Sequence, residues 1–268
     1  MEKILYVTDL DGTLLRNDKS ISDFSRKIIN DFIEAGGLFT YATARSYRTA
    51  SEVAHGISPK IPLILYNGTF IADCNGKIIH SNSFEQGRIR EIISDIQKAQ
   101  IEPLVYAFID GVEKFSYRED RETRGIVAFC EDHPNDERKN PTSAEKLTQG
   151  EIFHITCIDE KEKLEPFYER FKGEFQCVLY KDAYTKEWWL EIMPQSATKA
   201  NAIRIVAEML GAEKIVCFGD GVNDISMLEV ADELYAPENA HPDIKRIATA
   251  IIEENENDGV AKFIEGLY

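Results

Sequence analysis

The sequence predicts an α/β fold: a parallel sheet with helices on both faces, interrupted by an inserted α+β domain. Three observations predict it. Short apolar runs alternate with helix-period segments at both ends of the chain, at 4–8, 38–42 and 62–66 and again at 215–218 and 233–236, the order that gives parallel, right-handed crossovers. The middle of the chain instead carries hairpin signals, such as Asp110-Gly111 between two apolar runs. Several apolar runs at the two ends finish in a polar turn, which is where ligands sit in open α/β sheets.

The first run, Ile4 to Thr8, feeds Asp9-Leu10-Asp11-Gly12-Thr13. In strand geometry Asp9 and Asp11, two apart, share a face. Two close carboxylates repel unless a cation joins them, and hard divalent ions take such oxygen ligands. A plain acidic turn is the alternative. Ser22 then caps a helix with apolar positions Phe24, Ile28, Phe32 and Ala35, closed by Gly36-Gly37. The strand at 38–42 ends in Thr43-Ala44-Arg45-Ser46, and a helix follows through Val53. Thr43 and Ser46 are each able to cap it, and a helix N-terminus is also an anion site. Arg45 either contacts substrate or pairs with a carboxylate.

The strand at 62–66 ends in Asn67-Gly68, a tight-turn pair. Residues 69–72 and 77–80 flank Cys74-Asn75-Gly76 as a hairpin. From about Ser83 the pattern changes: a helix at 84–99, strands at 104–109 and 112–116, a charge run at 118–124 and a mainly loop segment at 131–149. Strands at 152–158, 175–179 and 188–193 and a helix at 162–171 complete an α+β region. Ser83 and Pro194 mark hinges. The predicted domains are 1–83 with 192–268 as the core, and 84–191 as the insert.

The core resumes at Ser196-Ala197-Thr198-Lys199. Thr198 caps a helix with Ile203, Val206 and Leu210 on its apolar face. Lys199 falls in its first turn, where the helix dipole disfavours a cation, so it either lies exposed or has another task. The run 215–218 enters Gly219-Asp220-Gly221-Val222-Asn223-Asp224, whose glycines allow a sharp turn and whose Asp220 projects from a strand end. A short helix at 225–230, a strand at 233–236, a helix opened by Pro237, a strand at 247–252 and a terminal helix after Gly259 follow.

Taken together, the four segments around Asp9, Thr43, Lys199 and Asp220 resemble the motifs of the haloacid dehalogenase superfamily, in the order and spacing of its Cof-type hydrolases. The resemblance covers nearly the whole chain. It implies a Rossmann-like core, a large cap between the second and third motifs, and a Mg2+-dependent phosphatase acting on small phosphorylated metabolites, chiefly sugar phosphates. It implies Asp9 as nucleophile and Asp11 as acid/base. Mg2+ would be held by Asp9, Asp220 and the backbone carbonyl of Asp11. Thr43, Lys199 and Asn223 would hold the phosphoryl group, Asn67 would lie at the mouth of the site, and Asp224 would orient Lys199 or a metal-bound water. Asn239-Ala240 and Asp258-Gly259-Val260 echo segments of the same proteins. Ala44 and Ala200 stand where the family has glycine. Tyr184, Lys186 and Glu187 are candidate cap contacts. A phosphomutase shares these motifs, and a phosphometabolite-binding regulator shares the scaffold.

The 268 residues carry a net charge of −16. That argues against nucleic acid, whose binding rests on many basic contacts, and requires any phosphate site to be built locally. No apolar stretch is long enough to span a bilayer, and a strand begins directly after Met1-Glu2-Lys3, without a signal-peptide pattern. Five scattered cysteines with no CxxC pair suit free thiols in a reducing cytoplasm. Oligomeric state is not legible.

Overall fold

The computed structural model of the protein describes residues 2–121, 123–132, 134–181 and 187–267, apart from the side chains of residues 132, 222, 223 and 228. The chain divides into two compact units, Met1–Ser81 with Ser196–Tyr268, and Asn82–Gln195.

The first unit opens with β1 (Ile4–Thr8), α1 (Asp23–Glu34), β2 (Leu38–Tyr41), α2 (Tyr47–Val53), β3 (Leu63–Leu65), β4 (Phe70–Ala72) and β5 (Ile78–Ser81). The second unit holds α3 (Gln86–Lys98), β6 (Pro103–Ile109), β7 (Val112–Arg118), α4 (Arg124–Asp132), β8 (Lys139–Thr142), β9 (Glu151–Asp159), α5 (Lys161–Phe171), β10 (Phe175–Lys181) and β11 (Trp188–Pro194). The first unit then resumes with α6 (Lys199–Leu210), β12 (Lys214–Phe218), β13 (Glu233–Pro237), α7 (Pro242–Ile247), β14 (Ala250–Ile252) and α8 (Gly259–Glu265).

In the first unit five strands form a parallel sheet in the order β14-β13-β12-β1-β2. From β1 the chain moves one way to β2, and from β12 the other way to β13 and β14. The strand order therefore reverses between β1 and β12, and the crevice beyond the carboxyl ends of those two strands is the expected ligand site. Asp9 leaves β1 there and Asp220 follows β12. Leu5, Val7 and Cys217 pack against Ile203 and Val206 of α6 in a buried cluster. β3, β4 and β5 form a separate antiparallel sheet, and Ile64 of β3 meets Ala42 in a single parallel bridge.

Helix α1 turns its buried face one residue away from the expected one. Ser25, Ile29 and Ile33 are buried, whereas Phe24 is 37% exposed and Ala35 is the exposed C-cap. The reason lies in Ser25, a small polar residue in the buried stripe whose hydroxyl donates to Asp258 at 3.0 Å. Phe32 still packs edge-on to Tyr6 at 5.3 Å.

The second unit is a six-stranded sheet, β10-β11-β9-β6-β7-β8, antiparallel except for β7 with β8. Ile89, Ile92, Ile93 and Ile96 of α3 and Leu164 and Phe171 of α5 pack with Val105, Ile155 and Leu190 of the sheet. The hairpin at Asp110-Gly111 has both residues in the left-handed region (φ 52° and 77°), as a two-residue turn requires. The segment at 131–149 is more ordered than its composition predicts. It contains β8, an edge strand in which Pro141 faces Tyr117, and proline is tolerated at an edge because no ladder donor is needed there. Helix α4 follows the charge run with Gly125 so close to β9 that a Cβ would lie 2.3 Å from the Ile158 carbonyl oxygen. All five cysteines are free thiols. Among the described residues no helix is long and apolar enough to cross a membrane.

Candidate active site

Asp9 is the first residue beyond β1. Its backbone N–H donates to the Phe218 carbonyl at 2.9 Å, which ties the end of β1 to the end of β12. Its carboxylate is buried and accepts from Lys199 Nζ at 2.6 Å through Oδ1. The same ammonium donates to Asp224 Oδ1 at 2.7 Å. Lys199 is 1% exposed and Asp224 0%. The adverse position of Lys199 in the first turn of α6 is thus offset by two carboxylates. Thr198 caps that helix by accepting from Asn201 N at 2.9 Å, so the cap holds α6 while the next residue turns inward.

Burial of this cluster sets its protonation. Burial alone opposes the charged form of Lys199, but Asp9 and Asp224 outweigh it and hold its pKa above the usual lysine value. Burial is also the largest influence on Asp9 and pushes it up to about 7, against the pull of Lys199 and with Asp224 and Asp220 adding to the rise. The two directions differ in what they say of the pair. Lys199 faces two carboxylates, so the ammonium stays charged and the tendency toward neutrality falls on Asp9.

Asp224 has no oxygen to spare. Its Oδ2 accepts from the backbone N–H groups of Asp220 and Gly221 at 3.0 and 2.9 Å, and Gly219 lies so near that a Cβ would sit 2.7 Å from the Asp224 Cβ. Asp224 thus fixes both the 219–221 turn and Lys199. Asp220 accepts from the Thr13 hydroxyl through Oδ1 at 2.7 Å, and burial raises its pKa. Thr13 carries a role that the sequence analysis did not assign; its place in the Asp9–Thr13 motif was the available signal.

Asp9, Asp220 and Asp224 each present an oxygen within 4.8 Å of the other two. Among the described residues, Asp9 Oδ2 and Asp220 Oδ2 have no hydrogen-bond partner. An all-carboxylate set with free oxygens fits a hard divalent cation. The Asp11 carboxylate is not in this group, because it turns to Arg45, which donates from Nε to Oδ2 at 2.7 Å and from Nη2 to Oδ1 at 2.6 Å.

Thr43 is fully buried. It does not cap α2; Ser46 does, accepting from Thr49 N. The Thr43 hydroxyl accepts from Arg45 N at 3.2 Å, and its carbonyl accepts from Asn67 N at 2.8 Å. Asn67 therefore belongs to the same backbone junction. Tyr66, Asn67 and Gly68 all have positive φ (49°, 53° and 96°), and a Cβ on Gly68 would lie 2.0 Å from the Thr198 carbonyl oxygen. The Asn67-Gly68 turn thus seats directly on the start of α6. The Asn223 side chain, Tyr184 and Lys186 lie outside the described residues. Glu187 pairs with Arg124 at 2.6 Å.

A sequence profile described as haloacid dehalogenase-like hydrolase matches residues 6–264. The chain belongs to this hydrolase family. Within it, the chain is 27% identical to a 5-amino-6-(5-phospho-D-ribitylamino)uracil phosphatase, YitU, of Bacillus subtilis, over 97% of this chain and 96% of that one. It is 25% identical to the phosphatase YwpJ of the same organism, over 98% and 99%. The crystal structure of TM0651 from Thermotoga maritima superimposes with a TM-score of 0.81 at 25% identity, covering 100% of this chain and 98% of that one. With phosphatases as its relatives over their whole length, this haloacid dehalogenase-like hydrolase is a phosphatase.

Proposed function

We propose that the protein is a Mg2+-dependent phosphatase for small phosphorylated metabolites, sugar and polyol phosphates above all, and that it works through a phosphoryl group carried on Asp9. The observation that carries this reading is the buried Asp9 carboxylate, held by Lys199 at 2.6 Å with the oxygen of Asp220 beside it. An Asp9 oxygen attacks phosphorus while the bond to the ester oxygen breaks, giving an aspartyl-phosphate. Asp11 delivers a proton to the departing oxygen. It then takes one from the water whose attack on phosphorus releases phosphate and restores Asp9.

Lys199 offsets the negative charge gathered at the end of β1, and Thr43 and Asn223 hold the phosphoryl oxygens. Asp9, Asp220 and the backbone carbonyl of Asp11 would hold the metal, with Asp224 behind them. Bound Mg2+ supplies further neutralisation of the phosphoryl oxygens. Charge placement of this kind is most of what phosphoryl transfer needs. The unit formed by residues 82–195 is proposed as the cap that selects substrate. The polyol phosphate class is supported by the relative YitU, whose named substrate carries a phosphoribityl group.

Hydrolysis of an aryl phosphate and of a panel of sugar and polyol phosphates, with Mg2+ and with EDTA, tests the reading. Turnover that requires metal and disappears in Asp9→Asn supports it. Turnover that survives Asp9→Asn rules out the nucleophile.

A further inference from the structure

The loop between β1 and α1 is tied down largely by side chains from the far end of the sequence. Asn239, just beyond β13, donates its Nδ2 to the Gly12 carbonyl at 2.7 Å. Its Oδ1 accepts from the Asn255 backbone N–H at 3.1 Å. Asn255 is buried and donates its own Nδ2 to the Leu15 carbonyl at 2.9 Å and to Asn17 Oδ1 at 3.2 Å. Asp258, held at φ 59°, accepts from Arg16 at 2.9 Å and from Ser25 at 3.0 Å. Glu256 accepts from Asn17 N at 2.6 Å.

None of these bonds reaches a reacting carboxylate, yet the one at Gly12 is a single step away. Gly12 has φ +77°, and a Cβ there would lie 2.4 Å from Asp220 Oδ2. The next residue, Thr13, donates to Asp220 Oδ1, and the preceding one is Asp11. A shift of the Gly12 carbonyl therefore moves both the turn that presents Asp11 and the hydroxyl that orients Asp220. The Asn239 amide is suited to prevent that shift. One partner is a carbonyl and the other an N–H, so the amide has one satisfactory orientation, and Asn255 enforces it.

We propose that Asn239 is a positioning residue for phosphoryl transfer, fixing the Asp11-Gly12-Thr13 turn through the Gly12 carbonyl, with Asn255 holding Asn239 in place. The proposal rests on the roles given above to Asp9 and Asp11. Loss of turnover in Asp9→Asn and trapping of a phosphorylated protein in Asp11→Asn test those roles separately.

The decisive variant is Asn239→Asp, which keeps shape but turns an oxygen toward the Gly12 carbonyl. A matched control exists in the same unit. Asn30, on α1, makes the same pair of bonds, donating to the Gly56 carbonyl at 2.7 Å and accepting from Ser58 N at 3.0 Å, with neither partner in the loop. With an aryl phosphate, Asn239→Asp is expected to lower kcat by about tenfold to a hundredfold, the range seen when groups behind a metal's ligands are lost, with KM falling in step and kcat/KM within about twofold of wild type. Because the aryl leaving group needs little acid help, the loss falls on the step in which Asp11 activates water. A pre-steady-state burst of aryl alcohol should then appear. In the metal-free protein, hydrogen exchange over residues 10–17 should accelerate in Asn239→Asp and not in Asn30→Asp, whose kcat should match wild type. Unchanged kcat and exchange in Asn239→Asp would overturn the proposal. So would a raised KM at unchanged kcat, which would make Asn239 a substrate contact, or an equal loss of kcat in Asn30→Asp.

Discussion

Arg45 grips Asp11 at both carboxylate oxygens, at 2.7 and 2.6 Å. The guanidinium fork matches a carboxylate in this way and fixes its plane as well as its place. An acid/base group bonded at both oxygens must release one of them to exchange a proton, so the pair both presents Asp11 and restrains it. Half of the Asp11 side chain is exposed, and such a pair adds under about 1 kcal/mol to stability. Arg45→Ala is therefore expected to leave the urea midpoint nearly unchanged while kcat/KM falls about tenfold, a cost of roughly 1.4 kcal/mol in the transition state. Arg45→Lys, which offers a point charge instead of a fork, should recover only part of the loss. Equal activity in all three proteins would remove any role for the pair.

Asp9 and Asp11 separate cleanly by trapping. Asp11→Asn keeps the nucleophile and loses the group that activates water. Its steady-state rate should fall by about a hundredfold to ten-thousandfold, and intact-mass measurement during turnover should find a phosphorylated protein. Asp9→Asn should carry no phosphoryl group under any condition. A phosphorylated Asp9→Asn protein would place the nucleophile elsewhere.

Lys199 links stability to chemistry. It is 1% exposed between two buried carboxylates, and removing one partner from such a set leaves uncompensated charge, at a cost of about 3–5 kcal/mol. Lys199→Met should lower the free energy of unfolding by this order in urea titrations and abolish phosphatase activity. Stability recovered in the Lys199→Met, Asp224→Asn double variant, with activity still absent, would apportion the loss between the two carboxylates.

Gly68 and Gly36 share φ +96°, but their surroundings differ. A Cβ on Gly36 meets nothing within 4 Å, whereas on Gly68 it lies 2.0 Å from the Thr198 carbonyl oxygen and 3.0 Å from Lys199 N. Gly36→Ala carries only the backbone strain, about 1 kcal/mol. Gly68→Ala adds a clash with backbone that cannot relax without moving the start of α6, worth about 1–3 kcal/mol more. Its kcat should fall because Lys199 moves with that helix. Identical unfolding midpoints for the two variants would count against this account.

The sequence was most legible where a strand end and a motif coincide. Asp9, Thr43 and Asp220 follow apolar runs, and the parallel order places those ends along one sheet edge. Lys199 was legible by contradiction, as a cation in a first helical turn. What escaped depended on long-range partners. The register of α1 is set by Ser25 meeting Asp258, which no periodicity reveals. β8 is carried by pairing along an edge that accepts Pro141. The bidentate grip of Arg45 on Asp11 joins residues 34 apart, and Arg45 alone looked equally like a substrate contact. Thr13 acquires its role only when Asp220 arrives from 207 residues away.

His154 gives the second unit a pH dependence of definite sign. It stacks on Tyr106 at 5.0 Å, and its Nε2 lies 3.9 Å from Glu191 Oε1 and 3.4 Å from the Thr156 hydroxyl. Burial holds its pKa below the usual histidine value, with Glu191 pulling weakly the other way. The folded protein therefore keeps this ring neutral where the unfolded chain would protonate it. Below about pH 6.5 the unfolded state binds the extra proton, so this contribution to stability is complete above that pH and is lost as pH falls toward the lower, folded pKa. His154→Phe keeps a ring against Tyr106 and has nothing to titrate. The stability of wild type relative to His154→Phe should be constant between pH 8 and 7 and decline between pH 6.5 and 5 in urea titrations. A gap that widens in favour of wild type on acidification would mean that Glu191 dominates and that the ring is charged in the folded protein.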